Sequence, residues 1–322
     1  LDNLTYAGNL DNLSSLSDDS RHFFVKGDIG DSKLISSTLK KYNPKAVINF
    51  AAESHVDRSI SAPDTFIETN ILGTYRLLQC TLSYWEALTE KQKKEFRLLH
   101  ISTDEVYGDL VKDASPFTED NRYIPNSPYS ASKAASDHLV RAWHQTYNLP
   151  VVTTNCSNNY GSFQFPEKLI PLFIINALSG KPLPLYGDGK QIRDWLYVDD
   201  HCEAIRVALK VGVIGQTYNI GGNTEKTNIQ VAQLICKFLD NFKPRPDKIS
   251  YAEQISFVKD RLGHDRRYAI DSSKIQKELG WKPKETFESG MEKTIKWYLD
   301  HDEWVRNIIS GDYKKWIDKH YS

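Results

Sequence analysis

Tyr129 and Lys133 stand four residues apart in Ser127-Pro128-Tyr129-Ser130-Ala131-Ser132-Lys133. Ser127 suits a helix cap, Pro128 suits the first turn, and a spacing of four places both side chains on one helix face. An ammonium beside a phenol favours the phenolate. The pair is therefore expected to lower the tyrosine pKa toward neutrality, so that Tyr129 takes a proton from a hydroxyl. The same spacing also describes an amphipathic surface helix with an exposed tyrosine and lysine. A second reactive group precedes it. Leu98-Leu99-His100-Ile101-Ser102 reads as a strand running into Thr103-Asp104-Glu105-Val106-Tyr107-Gly108. Two adjacent carboxyl groups then lie at a strand's carboxyl end, where open α/β sheets bind ligands. Either they belong to a solvated loop or helix cap, or they share a pocket in which one stays ionised as a base and the other keeps its proton as an acid. The second arrangement is what an elimination of water requires.

Periodicity supplies the elements that must hold these groups. Phe23-Phe24-Val25 reads as a short buried strand, 32–42 as a helix and 45–52 as an apolar strand ending in small residues. A long helix over 63–84, a strand at 98–102, the helix from Pro128 and a strand at 151–156 continue the alternation. Alternating strands and helices predict an α/β fold with a doubly wound parallel sheet. Past Gly161 the alternation loosens: a helix over 169–179, the turn Tyr186-Gly187-Asp188-Gly189, a strand at 192–198 and a helix at 202–211. Helices at 229–242 and 272–279 and a helical tail from Phe287 complete the chain. His100 on its buried strand, with Trp143 and Trp297, reads as core or interface packing rather than as ligand contacts.

A chain of 322 residues, 40% hydrophobic and 26% charged, is long enough to bury a substantial core. Its formal net charge of -1 and lack of a basic run give no field for nucleic acid. The longest apolar stretch, 169–178, is far short of a bilayer span, and no export signal is visible. Cys80, Cys156, Cys202 and Cys236 are widely spaced, which argues against a metal site or a disulfide framework and for a reducing, cytoplasmic setting. The chain begins at Leu1 and its single methionine is Met291, so it reads as a fragment.

The motifs resemble the dTDP-glucose 4,6-dehydratases of the extended short-chain dehydrogenase/reductase family. Thr103-Asp104-Glu105-Val106-Tyr107-Gly108 and Tyr129-Ser130-Ala131-Ser132-Lys133 carry the resemblance. It extends through Leu1-Asp2-Asn3-Leu4-Thr5-Tyr6-Ala7-Gly8, Ala51-Ala52-Glu53-Ser54-His55-Val56-Asp57, Asn158-Asn159-Tyr160-Gly161 and Gly263-His264-Asp265-Arg266. Related epimerases typically carry small residues in place of Asp104 and Glu105. The resemblance implies an NAD-binding Rossmann domain over residues 1–165 and a smaller α/β substrate domain over 166–322, with about 190–225 returning to the first. It also implies a homodimer. Tyr129, aided by Lys133 and Thr103, would take the C4 hydroxyl proton as hydride passes to NAD. Glu105 would then take the C5 proton while Asp104 protonates the leaving C6 hydroxyl, before the hydride returns to C6. The cofactor would stay bound throughout.

For NAD, the resemblance implies Asp2, Asn3 and Thr5 at the adenosine ribose and Asp28 and Ile29 at the adenine. Ala51, Ala52, Ser54, Thr69, Ser102, Tyr129, Lys133 and Asn158 would line the dinucleotide, although Ala51 and Ala52 equally describe plain core packing. The G-x-x-G-x-x-G turn expected upstream of Asp2, with its strand and helix, is absent from this sequence. For the nucleotide sugar it implies His55, Thr103, Asn158, Glu167, Lys168, Leu169, Pro184, Tyr186, Arg193, Asn228, Arg261 and His264. The cations meet the diphosphate, and Tyr186 stacks on or borders the thymine. Leu262 stands where the family usually has proline. The rival readings are a dehydratase or epimerase acting on another nucleotide sugar, and a non-catalytic nucleotide-sugar-binding protein.

Overall fold

The computed structural model describes residues 1–309. Nine strands fall within them: β1 (Ala46–Asn49), β2 (Arg97–Thr103), β3 (Val151–Cys156), β4 (Asn158–Tyr160), β5 (Leu183–Tyr186), β6 (Ile192–Tyr197), β7 (Thr217–Ile220), β8 (Glu225–Thr227) and β9 (Ile255–Val258). The principal sheet runs β1-β2-β3-β7 and is parallel throughout. Side chains alternate across its two faces. Leu98 and Val151 pack with Leu78, Leu82, Val140 and Trp143 on one side. Their neighbours Leu99 and Val152 pack with Ala204, Ile205, Ala208 and Trp281 on the other. Helices thus cover both faces, as the alternation predicts.

Local chemistry sets the helix ends. In the Ser32–Tyr42 helix, Asp31 Oδ1 accepts the backbone N–H of Lys33 and Leu34, and Asn43 closes the helix in the left-handed region at φ 46°. Ile35 and Leu39, four apart, are its buried residues.

The long helix expected over 63–84 has a break in character. Pro63–Phe66 leads into a wider π-helical turn, Ile67–Gly73, before regular helix resumes over Thr74–Glu86. Asn70 lies in that turn. Its side chain accepts from Glu53 N (2.9 Å) and donates to Glu53 O (3.0 Å) and Ser132 Oγ (2.8 Å), tying the loop after β1 to the Tyr129 helix. Wide turns of this kind recur at functional sites.

Phe23-Phe24-Val25 does not form the expected buried strand. Only an isolated parallel bridge between Asp2 and Lys26 forms there. Phe23 is 61% exposed, its ring lying against Tyr42, and a single bridge offers no sheet face in which to bury it.

The second half of the chain builds two small sheets, β4-β6-β8 and β5-β9. They surround the largest apolar cluster, which includes Tyr160, Phe173, Leu185, Trp195, Ile235 and Met291. β7 pairs with β3, so residues from this half rejoin the principal sheet. The helical tail divides at His301 into Phe287–Asp300 and Asp302–Ile309. The rest of the expected tail lies outside the described residues.

Candidate active site

β2 delivers Thr103 to its carboxyl end, where a 3-10 turn over Asp104–Tyr107 begins. Thr103 Oγ1 caps that turn by accepting from Glu105 N at 3.3 Å, and it donates to Asp104 Oδ1 at 3.3 Å. Gly108 ends the turn at φ 87°, where an added Cβ would lie 2.1 Å from the Ile124 carbonyl oxygen, so glycine alone fits. The helix Pro128–Tyr147 starts with a reciprocal cap: Ser127 Oγ accepts from Ser130 N, and Ser130 Oγ accepts from Ser127 N, both at 3.0 Å. This cap places Tyr129 in the first turn, against Thr103, with Lys133 one turn further on.

Tyr129, Lys133, Thr103 and Asp104 are all buried. Burial, with like charge from Glu105 and Asp194, holds the Asp104 carboxyl well above the usual carboxylate range, against an opposing pull from Arg193. Burial also raises Glu105, but Arg261, Arg193 and Lys168 all pull it back down. Burial thus raises both acids, and the cations around Glu105 oppose its rise more than Arg193 opposes that of Asp104. Asp104 Oδ2 and Glu105 Oε2 are buried without a hydrogen-bond partner among the described residues. Each therefore has an oxygen available to a ligand.

The expected lowering of the Tyr129 pKa by Lys133 is corrected. Burial and the negative charge of Glu105 hold the phenol well above its ordinary value, and the effect that lowers it is a side-chain hydrogen bond with Thr103. Lys133 Nζ donates instead to the Ile101 carbonyl oxygen at 2.8 Å. Burial lowers the lysine, and Asp137 one turn further along opposes that. Asp137 Oδ2 accepts from Ser102 Oγ at 2.7 Å, and its Oδ1 lies 3.2 Å from His100 Nε2. Ser102, expected along the dinucleotide, therefore turns its hydroxyl into this buried network. His100 belongs to the same packing, as its strand position suggests.

A cavity of about 160 Å³ opens beside Glu105. Its walls include His55, Asn158, Glu167, Lys168, Leu169, Pro184, Tyr186, Arg193, Asn228, Arg261 and His264. These are the residues expected at the nucleotide sugar, apart from Thr103, which sits buried in the cap below. Ser54 also lies on this wall rather than in the cofactor cleft, and its carbonyl accepts Lys168 Nζ at 2.9 Å. Burial together with Lys168, Arg58 and Arg261 pushes His55 down to about 2, and burial and Arg261 push His264 down to about 4. Both imidazoles are neutral among cations, which suits a site for negative charge.

Of the wall residues, Asp57 escapes sequence reasoning. Asp57 accepts from Tyr186 Oη (3.1 Å) and lies 3.5 Å from Arg261 Nη1, so it positions both. Its place beside His55 in a quoted motif was the available signal. Arg193 donates to the carbonyls of Ile192 (2.7 Å) and Asp265 (3.0 Å), and its guanidinium lies over the Tyr268 ring. Asp194, pushed up to about 6 by burial, accepts from Gly222 N and Thr224 N and fixes the β6 end of the site.

A second cleft, of about 580 Å³, is lined by Asp2, Asn3, Thr5, Asp28, Ile29, Ala51, Ala52 and Thr69. Asp2 Oδ1 accepts from Leu4 N (2.7 Å), and Asn3 Nδ2 donates to Asp28 Oδ2 (2.9 Å). Carboxylates at one end and the small side chains of Ala51 and Ala52 along the wall fit a dinucleotide: ribose hydroxyls have acceptors, and the backbone can be approached closely. Asn158 lies in the first cleft, not this one. Among the described residues no group of three or more His, Cys, Asp or Glu side chains is arranged to hold a metal ion.

Known proteins resemble this chain in sequence and fold. A family model described as GDP-mannose 4,6 dehydratase matches residues 1–294. A dTDP-glucose 4,6-dehydratase of Xanthomonas campestris pv. campestris is 60% identical over 314 residues, covering 98% of this chain and 89% of that protein. Among solved structures, the dTDP-glucose 4,6-dehydratase of Bacillus anthracis in complex with NAD superposes with a TM-score of 0.83 at 46% identity, over 95% of this chain and 89% of the other. The Streptomyces venezuelae enzyme with NAD and TYD bound gives 0.86 at 44%, over 95% and 88%. With the acids, the tyrosine–lysine helix and both clefts in place, the chain belongs to the dTDP-glucose 4,6-dehydratase family.

Proposed function

We propose that the chain converts dTDP-glucose to dTDP-4-keto-6-deoxyglucose and water, with NAD as its resident cofactor. The carrying observation is the Thr103–Asp104–Glu105 turn, closed against Tyr129 beside a cleft walled by Lys168, Arg193 and Arg261. Asp2, Asn3, Thr5, Asp28, Ile29, Ala51, Ala52 and Thr69 would hold NAD, which when bound supplies the acceptor and then the donor for the hydrogen moved from C4 to C6.

The chain's own residues do the proton work. Tyr129, whose burial favours the neutral phenol, takes the C4 hydroxyl proton only as its phenolate, with Lys133 fixed on the Ile101 carbonyl one turn away. The C4 carbonyl acidifies the C5 hydrogen, and Glu105 takes it. Asp104 gives its proton to the C6 hydroxyl, which leaves as water. Glu105 then returns a proton to C5. Lys168, Arg193 and Arg261 neutralise the diphosphate, and Tyr186 borders the base.

On this reading residues 1–165 form the cofactor domain and 166–322 the substrate region, with about 190–225 returning; the pairing of β7 with β3 supports that division. A homodimer is the proposed assembly, supported by the exposed Tyr75 and Tyr147, whose rings flank Trp143 on two packed helices. Four free cysteines support a reducing, cytoplasmic setting. No described helix is long and apolar enough to cross a membrane.

The test is dTDP-glucose carrying deuterium at C4. The label is expected at C6 of the keto-sugar product, with dTDP a stronger competitor than UDP, GDP or CDP. Label lost to solvent, or inhibition strongest by GDP, would contradict the reading.

A further inference from the structure

Three elements each deliver one part of the site. β1 ends at Asn49 beside the Ala51 wall of the cofactor cleft, β2 ends at Thr103 ahead of the two acids, and the helix Pro128–Tyr147 carries Tyr129 and Lys133. C4 oxidation needs these parts in one register, because a misplacement of about 1 Å can cost on the order of 10²-fold in rate. Behind the site, a buried set of polar side chains joins all three elements: Asn49, His100, Ser102, Lys133 and Asp137.

Asn49 Oδ1 accepts the backbone N–H of Ala51 at 3.2 Å. That bond fixes which way the amide lies, so Asn49 Nδ2 faces His100 Nδ1 at 3.3 Å as a donor. His100 Nδ1 must then accept. Burial and the charge of Lys133 lower the His100 pKa against an opposing pull from Asp137, which favours the neutral imidazole. A neutral ring with an accepting Nδ1 carries its proton on Nε2. His100 Nε2 lies 3.2 Å from Asp137 Oδ1, and neither atom has another hydrogen-bond partner among the described residues. Asp137 Oδ2 accepts from Ser102 Oγ at 2.7 Å. Lys133, one turn earlier on the same helix face, donates to the Ile101 carbonyl at 2.8 Å. The helix therefore grips adjacent residues of β2 at two points.

We propose that His100, fixed in its Nε2–H tautomer by Asn49, is a positioning residue that ties the cofactor wall to the helix carrying Tyr129 and Lys133. His100 lines neither cleft. Its accepting nitrogen holds the end of β1 and its donating nitrogen holds Asp137, so the cofactor wall and Tyr129 keep their spacing while C4 is oxidised. This role rests on the dehydration reading.

Two measurements test it. With isotope-labelled histidine, long-range proton–nitrogen spectra of the unaltered chain should show His100, identified by the signals lost in His100→Gln, as the neutral Nε2–H tautomer. A proton on Nδ1, or on both nitrogens, would overturn the proposal. Rapid mixing of dTDP-glucose with the NAD-loaded chain then follows reduced-dinucleotide absorbance. His100→Phe keeps a ring and loses both contacts, and its oxidation rate is expected to fall on the order of 10²-fold. KM for dTDP-glucose should not change, because none of the five side chains lines the substrate cleft. His100→Gln keeps one accepting and one donating atom and should recover most of the rate. His100→Asn keeps the acceptor toward Asn49 but falls short of Asp137; it should be slow, and it gives the same test where His100→Phe does not fold. Oxidation at the native rate in His100→Phe or His100→Asn would overturn the positioning role, as would a loss carried by KM or no recovery in His100→Gln. Absence of C4 oxidation in the unaltered chain would remove the dehydration reading and the positioning role with it, leaving the tautomer result unaffected.

Discussion

Burial raises both acids, and the charges around them differ in a way that supports the roles proposed for them. At Glu105, Arg261, Arg193 and Lys168 oppose the rise while Asp265 adds to it, whereas at Asp104 like charge from Glu105 and Asp194 adds to a rise opposed by Arg193 and the Thr103 hydrogen bond. Glu105→Gln is therefore expected to leave C4 oxidation intact and to stall elimination, so that reduced-dinucleotide absorbance accumulates on the enzyme. Tyr129→Phe is expected to abolish that absorbance altogether, with a rate loss on the order of 10²–10⁴-fold. Stopped-flow absorbance on mixing with dTDP-glucose separates the two, and native turnover by either variant would contradict the roles. These residues were legible because each group is contiguous and lies at a strand or helix end. Asp57, Asp194 and Asp265 were not, because spacing does not show that folding brings them from distant segments to Tyr186, to the Gly222 and Thr224 amides and to Arg193, although Asp57 and Asp265 stand in segments that carry the resemblance. The Tyr129 pKa was misjudged because spacing reveals a neighbouring lysine but not how deeply the phenol is buried.

At the scale of elements, two short devices aim the chemistry: the Ser127–Ser130 cap and the Gly108 turn. Ser127→Ala removes the acceptor for Ser130 N and is expected to cost about 1 kcal/mol of stability, read as a lower denaturant midpoint. Gly108→Ala forces a Cβ toward the Ile124 carbonyl oxygen at 2.1 Å. It is expected to cost more than the cap and to depress kcat, because the turn carrying both acids must shift. A midpoint and kcat unchanged in Gly108→Ala would refute that geometry. The principal strands and helices were readable because their periodicities run long enough to register, as over Ser32–Tyr42 and Val151–Cys156. β4, β5, β8 and β9 span only three or four residues each, too few for alternation to show. The π-helical turn at Ile67–Gly73 keeps a helical pattern in sequence, and its extra width follows from Asn70 reaching Glu53 and Ser132, contacts set by tertiary packing.

Across the whole molecule, buried neutral histidines tie stability to pH. Burial pushes His201 down to about 4, and its Nε2 is buried without a partner among the described residues. Its ordinary value, about 6.5, applies in the unfolded chain. Between those values the unfolded state binds the extra proton, so stability is full above about pH 6.5 and is lost as pH falls toward 4. By about pH 5 the loss from His201 alone is roughly 2 kcal/mol. His201→Leu should flatten the fall in denaturant midpoint between pH 7 and about pH 5; an identical pH slope would contradict the assignment. His55 and His264, which burial also depresses, add to the acid sensitivity from within the substrate cleft. The two clefts and the cations that wall the first have one shared purpose, removing water from a nucleotide sugar. The most direct measurement of that purpose is mass spectrometry of dTDP-glucose incubated with NAD and the chain, alone and extended ahead of Asp2 by the family's strand, glycine turn and helix. Loss of one water from the sugar nucleotide is the expected result. Folded protein that binds NAD in both forms yet leaves dTDP-glucose intact would contradict it.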